Sequence, residues 1–284
     1  MFQQTEVRKS GERRAFSILE LLVAMAVFAV VALVLVSVTD SAILVTTASK
    51  LRMNADSASR GALDRMAADF AAQLQRKDLP DIVEKCPGND RIIFHAGVDG
   101  YGGVRGISRV SYLVSDHAGV AGSVENFGPH VLLRGAKGVG WDGGSQGLVF
   151  SSSNVATPVD PGSLDVAASG VFRLEFAFLM ADGSLREVPP TPSAGTNFNL
   201  LRSWGDLPSS DKVSAIIVGM AALDPNSRAL LPPDGLQTLS GLLPDSVAGT
   251  NDILTQWDGA LNGSGLPPRV LKAVRFYQRY FYLH

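Results

Sequence analysis

Apolar and polar residues alternate differently in successive parts of the chain. Residues 16–38, FSILELLVAMAVFAVVALVLVSV, are apolar except for Ser17, Glu20 and Ser37. A helix needs about 20 such residues to cross the hydrocarbon core of a bilayer, so this stretch is long enough to span one. From Leu44 the pattern changes. Leu44, Ala48, Leu51, Ala55, Ala58, Ala62, Met66, Phe70 and Leu74 recur at steps of three or four, the signature of one helix face. Lys50, Arg52, Asn54, Asp56, Arg60, Asp64 and Arg65 fall at the other positions. No proline precedes Pro80 and no glycine falls between Gly11 and Gly61, so nothing breaks a helix over 16–76. The lower stripe is rich in alanine and lacks a strict heptad, which predicts packing on a sheet rather than a coiled coil.

Beyond Pro80 short β-like runs alternate with turn signals. The expected strands are Arg91–Ala96, Arg105–Ser115, His130–Arg134, Leu148–Ser152, Val171–Met180, Leu185–Val188, Val213–Leu223 and Val274–Leu283. Asp182-Gly183 between two of them is a hairpin signal. Residues 233–243 read as a short helix ending before Pro244, and Val155–Gly170 and Pro189–Ser210 read as loops. The last segment carries Phe276, Tyr277, Tyr280, Phe281 and Tyr282. Aromatic density favours a strand there, as a core strand or as an exposed contact surface. Apolar positions 270, 274, 277 and 281 would also suit a helix. The expected fold class is α+β, a long N-terminal helix packed on a β-rich globular head. The expected division is a basic leader at 1–15, a transmembrane and amphipathic helix at 16–76, and one head at 80–284.

Composition narrows the chemistry. A net charge of −2 over 284 residues gives no reason to expect a nucleic-acid partner. Cys86 is the single cysteine, so no intramolecular disulfide forms. Its neighbours Lys85 and Pro87 supply no base, so a small half-buried side chain is expected rather than a reactive thiol. His95, His117, His130 and His284 are scattered without a metal-ligand spacing. Gly143-Gly144-Ser145-Gln146-Gly147 matches G-x-S-x-G. It lacks the preceding strand and following helix that a nucleophile elbow needs, and it reads as a turn. There is no phosphate-binding loop and no dense Asp/Asn calcium loop. The chain is expected to be non-enzymatic, with no cofactor and no metal.

The charges around the apolar run carry more information. Arg8, Lys9, Arg13 and Arg14 precede it, and the first charge after it is Asp40. The positive-inside bias puts residues 1–15 in the cytoplasm and the head outside it. A cleaved secretory signal would have a shorter apolar region and no carboxylate. A plain anchor leaves Glu20 unexplained, because a mid-helix charge costs roughly 2.5–3.5 kcal/mol on insertion scales. Near a helix start the positive end of the dipole offsets part of that cost, but the charge still calls for a cation.

The string Arg13-Arg14-Ala15-Phe16-Ser17-Ile18-Leu19-Glu20-Leu21 resembles the type IV prepilin signal. The resemblance implies cleavage by a prepilin peptidase between Ala15 and Phe16, methylation of the new Phe16 amine, and Glu20 as the fifth mature residue. Ala15 stands where the family usually has glycine. A neighbouring subunit's Glu20 would then neutralise the Phe16 ammonium within lipid. The family implies a pseudopilin of the inner membrane, its head periplasmic. Its partners would be other pilin or pseudopilin subunits, the peptidase and an inner-membrane assembly platform, in a type II secretion pseudopilus or a type IV pilus-like filament. The head is near the size of larger minor pseudopilins such as the J-type subunit of type II secretion. Ala221–Asp224 (AALD) and Val274–Leu283 (VRFYQRYFYL) are similar to the pilin-like Verru_Chthon cassette protein C group. The other reading open at this point is a membrane-anchored periplasmic binding protein or enzyme unrelated to filaments.

Overall fold

The structure, a computed structural model, describes residues 17–74, 81–86, 88–102, 106–116, 127–139, 161–188, 212–232, 234–246 and 252–283. Ala15, Phe16, the Gly143–Gly147 turn, the expected strand Leu148–Ser152, the loop 189–210, His117 and His284 lie outside the described residues. The chain divides into two compact units, Met1–Lys50 and Leu51–His284.

In the first unit the apolar run is helical, as the start of helix α1, Ile18–Ala71. Among the described residues this helix alone is long and apolar enough to cross a membrane, with a mean hydropathy of 3.1 over its best 18-residue window. Four of its hydroxyls, those of Ser37, Thr39, Ser41 and Thr46, bond to their own helix. The hydroxyls of Thr39, Ser41 and Thr46 donate to the carbonyls of Leu35, Ser37 and Ala42, each at 2.8 Å, so these hydroxyls need no partner from their surroundings.

In the second unit α1 turns one face inward. Ser59, Ala62, Leu63, Met66, Asp69 and Phe70 are buried, with Ala55 and Ala58 half-buried, matching the alanine-rich stripe from Ala55 on. Helix α1 ends at Ala71 rather than 76. The chain there begins to pair with a strand: the Leu74 N–H donates to the His95 carbonyl and the Gly97 N–H to the Ala72 carbonyl, each at 2.8 Å.

Two antiparallel sheets complete the head, confirming the α+β expectation. One holds β1 (Ile82–Glu84), β2 (Arg91–Ala96), β3 (Ser108–Val114), β4 (Val131–Gly138) and β5 (Leu164–Ser169) in chain order. The other, ordered β7-β6-β8-β9, is built from β6 (Val171–Met180), β7 (Leu185–Arg186), β8 (Val213–Ala222) and β9 (Arg275–Tyr282). Phe70 joins the layers. It stacks on Phe94 of β2 at 4.7 Å and meets Phe281 of β9 at 4.9 Å between ring centroids. The far face of the second sheet is covered by short helices, α2 (Pro225–Arg228), α3 (Gly235–Leu242), α4 (Ile253–Asn262) and α5 (Pro268–Leu271). Leu239, Trp257, Leu261 and Val270 pack there on Phe172, Ile217 and Ala221.

The loop expected over Val155–Gly170 needs correction. Within Val155–Gly170, residues 164–169 form strand β5, paired to β4 with a register shift at Leu132/Leu133. Its alanines and Asp165 have little strand propensity, so pairing with β4 decides its conformation. The strand expected at Val274–Leu283 forms as β9, after α5 and at a sheet edge. Phe281 enters the core, whereas Tyr280 and Tyr282 are exposed. The chain crosses from one sheet to the other at Gly170, φ +78°, where a Cβ would lie 2.4 Å from the Leu223 carbonyl oxygen, so only glycine fits. The Asp182-Gly183 hairpin forms as expected, with Phe178 opposite Arg186 and Gly183 at φ +83°.

Candidate functional site: the start of the long helix and its seat on the head

Ser17 sits just before the first helical residue, Ile18. Its hydroxyl oxygen accepts from the Glu20 N–H at 3.3 Å. Serine at the cap and glutamate three residues on is the capping-box spacing. Ser17 therefore fixes where the helix begins, and that start places Glu20 in the first turn. A carboxylate there meets the positive end of the helix dipole, worth about 0.3–1 kcal/mol. Glu20 is exposed, and among the described residues no cation is paired with it. The apolar residues that follow are also exposed: Ile18, Leu19, Leu21, Leu22, Met25, Phe28 and Leu33 all present more than half their surface. This unit thus offers an apolar rod with a single anionic side chain at its capped end.

The head holds the other part of α1 by polar contacts set into the apolar face. Asp69 is fully buried. Its Oδ2 accepts from Arg134 Nε at 2.6 Å and from the Tyr112 hydroxyl at 2.5 Å, and its Oδ1 from Arg134 Nη2 at 2.9 Å. This bidentate fork joins the helix to β3 and β4 and fixes its rotation. Burial, then the charge and hydrogen bond of Asp69, push the Tyr112 hydroxyl well above its usual range. Toward the second sheet, Tyr277 donates to Asp56 at 2.8 Å and Arg279 pairs with Asp64. Asp224, which closes the AALD run, accepts from the Asn226 and Ser227 N–H groups at 3.1 Å and so caps α2; Arg52 approaches it at 4.0 Å. Sequence reading passed over Asp69, although the signal was there: an acid three residues from Met66, on the apolar face.

Elsewhere in the head, a thiol and a cavity bear on the chemistry. The Cys86 thiol is pushed up by burial and by the nearby charges of Glu84 and Asp90, the reverse of what a nucleophile needs. Among the described residues no group of three His, Cys, Asp or Glu side chains is placed to hold a metal. A cavity of about 670 Å³ opens beside Asn89, His130, Arg173, Arg228 and Asp234. Its charges are mixed.

Residues 12–36 match the family described as the prokaryotic N-terminal methylation motif. None of the curated proteins matches the chain. Among solved structures, a type IV-like pilin from Thermus thermophilus is similar at 13% identity and a TM-score of 0.40, over 79% of this chain and 93% of that one. A likeness of that degree says nothing of function. The matched segment and the geometry define a class: a chain with a prepilin-type methylation motif, one membrane-length helix and an antiparallel β head. The motif spans the expected cleavage point at Ala15 and Phe16, the Ser17 cap and Glu20.

Proposed function

We propose that this chain is a minor pseudopilin, a non-enzymatic subunit of a type II secretion pseudopilus or type IV pilus-like filament. Prepilin peptidase cuts between Ala15 and Phe16 and methylates the new amine. The helix then holds the protein in the inner membrane, with the leader cytoplasmic and the head periplasmic. Glu20 pairs with the Phe16 ammonium of a neighbouring subunit as the helices pack side by side on the assembly platform.

The observation that carries this reading is a coincidence at one place. The methylation motif covers residues 12–36, and within it the helix starts at a serine cap that sets Glu20 in the first turn. A plain anchor needs neither the cap nor the carboxylate. Mass spectrometry of the protein from its membrane fraction tests the processing. The expected N-terminal peptide starts at methylated Phe16. A peptide retaining Met1, or a terminus near residue 40, would contradict the reading and favour an anchored periplasmic binding protein or enzyme.

A further inference from the structure

The β1–β2 hairpin ends its ladder at Glu84 opposite Arg91. Continuing that register, Lys85 faces Asp90 at the hairpin mouth, where opposed side chains share one face. The mouth is docked on β6. The Asp90 N–H donates to the Leu174 carbonyl at 2.9 Å and the Leu174 N–H to Asn89 Oδ1 at 2.8 Å. This docking brings a third group, Glu175, into the pair. Lys85 Nζ lies 2.5 Å from Asp90 Oδ2 and 2.5 Å from Glu175 Oε1, and donates to the Phe176 carbonyl at 2.8 Å. Both acidic side chains are fully buried and the lysine is 14% exposed.

The two carboxylates are held differently. Glu175 takes donors suited to an anion: Arg173 Nη2 at 3.1 Å, and the Ser246 N–H and hydroxyl at 3.0 and 2.9 Å. Asp90 takes backbone N–H groups on both oxygens, Phe176 at 2.8 Å on Oδ2 and Cys86 at 3.4 Å on Oδ1. Backbone donors on a carboxyl group are what stabilises oxyanion charge when that carbon is attacked. An amine, a polarised carboxyl and a second carboxylate thus meet out of water.

We propose that Lys85 and Asp90 become joined by an intramolecular amide, formed by the chain itself with Glu175 as the base. Glu175 removes a proton from the Lys85 ammonium, and the freed Nζ lone pair attacks Asp90 Cγ. The Nζ–Cγ bond forms and one Cγ–O bond breaks. The departing oxygen takes two protons of the original ammonium, relayed by Glu175, and leaves as water. Ion pair in, amide and one water out, the step balances without an oxidant or a co-reactant. Contact in a fixed geometry supplies an effective concentration reaching about 10⁵–10⁸ M in the best intramolecular cases, and the dry site disfavours the return of water.

The electrostatics set the starting state. Burial works to strip the Lys85 proton, but the charges of Asp90 and Glu175 outweigh it and hold the amine above its usual range. Burial, helped by Glu175 and opposed by Lys85, pushes Asp90 up to about 7. The resting state is the ion pair, with the neutral acid within reach near neutral pH.

The test uses full-length protein from its membrane, denatured and cut with trypsin. Trypsin does not cleave at an acylated lysine. Linked wild type gives one peptide, Asp78–Arg91, lighter than its sequence by about 18 Da, one water. Release of Asp78–Lys85 and Cys86–Arg91 as separate peptides of full mass would overturn the proposal. Lys85→Arg is the unlinked control. Glu175→Gln gives the separate peptides if Glu175 is the base; a fully linked Glu175→Gln protein would remove that role. None of these readings depends on filament assembly.

Discussion

Replacing Asp69 with asparagine keeps the side chain's shape and deletes the charge that seats α1 on the head. In the wild type the carboxylate is 1% exposed and takes two bonds from Arg134 and one from Tyr112. Asparagine keeps one acceptor oxygen and turns an amide NH₂ toward the other donor. Arg134, with its side chain 8% exposed, is left without a countercharge. Breaking a buried pair from one side costs about 3–5 kcal/mol, a large share of the 5–15 kcal/mol that holds a typical domain together. Arg65, 57% exposed and 3.7 Å away, loses the same partner, but such an exposed pair adds about 1 kcal/mol or less. Tyr112→Phe keeps the ion pair and removes one hydrogen bond to a charged group, about 1.5–3 kcal/mol. Urea unfolding of the protein in detergent, followed by tryptophan fluorescence, should rank wild type, then Tyr112→Phe, then Asp69→Asn. An Asp69→Asn midpoint within about 1 kcal/mol of wild type, as for an exposed pair, would refute the account of how the helix is seated.

Gly219→Ala should destabilise the head by about 1–3 kcal/mol through overpacking, because its Cβ would stand 2.8 Å from Ile253 Cγ2 and 3.2 Å from Trp257; an unchanged urea midpoint would contradict that packing. Tyr277 is pushed up to about 12, first by burial and then by Asp56, from an ordinary value of 10.0. A raised folded value means the folded state keeps a proton that the unfolded state loses, so this contribution is complete below pH 10 and is lost as pH rises to about 12. Ultraviolet tyrosinate titration of wild type against Tyr277→Phe checks it: the difference should show a transition near 12, and a transition at the ordinary 10.0 instead would refute it.

The helix and most strands were legible because their signals are local. Apolar spacing marks α1, and β2 and β6 run over the residues expected, Arg91–Ala96 and Val171–Met180. What escaped depends on partners distant in sequence. Strand β1 is three residues long and exists by pairing with β2. Strand β5 leans on β4. Helix α4, QWDGA at its centre, is amphipathic but short, and only Trp257 and Leu261 on the second sheet reveal its face. Glu20 was visible as a charge out of place in an apolar run. Asp69 and Glu175 are the same kind of signal, yet their partners Arg134 and Lys85 lie 65 and 90 residues away, beyond the reach of local pattern.

Assembly is tested most directly at Glu20. In a filament its charge answers the Phe16 ammonium next door, and losing one partner of a buried pair costs about 3–5 kcal/mol, enough to remove a subunit from an assembly. With Cys86 replaced by serine and a reporter cysteine placed in the apolar run, cross-linking between neighbouring helices is compared for wild type and Glu20→Gln. The account predicts that Glu20→Gln protein is made, cleaved, inserted and folded but forms few cross-links with its partner subunits. Equal cross-linking in the two proteins would show that Glu20 has no part in assembly, and the chain would then stand as a plain membrane-anchored protein.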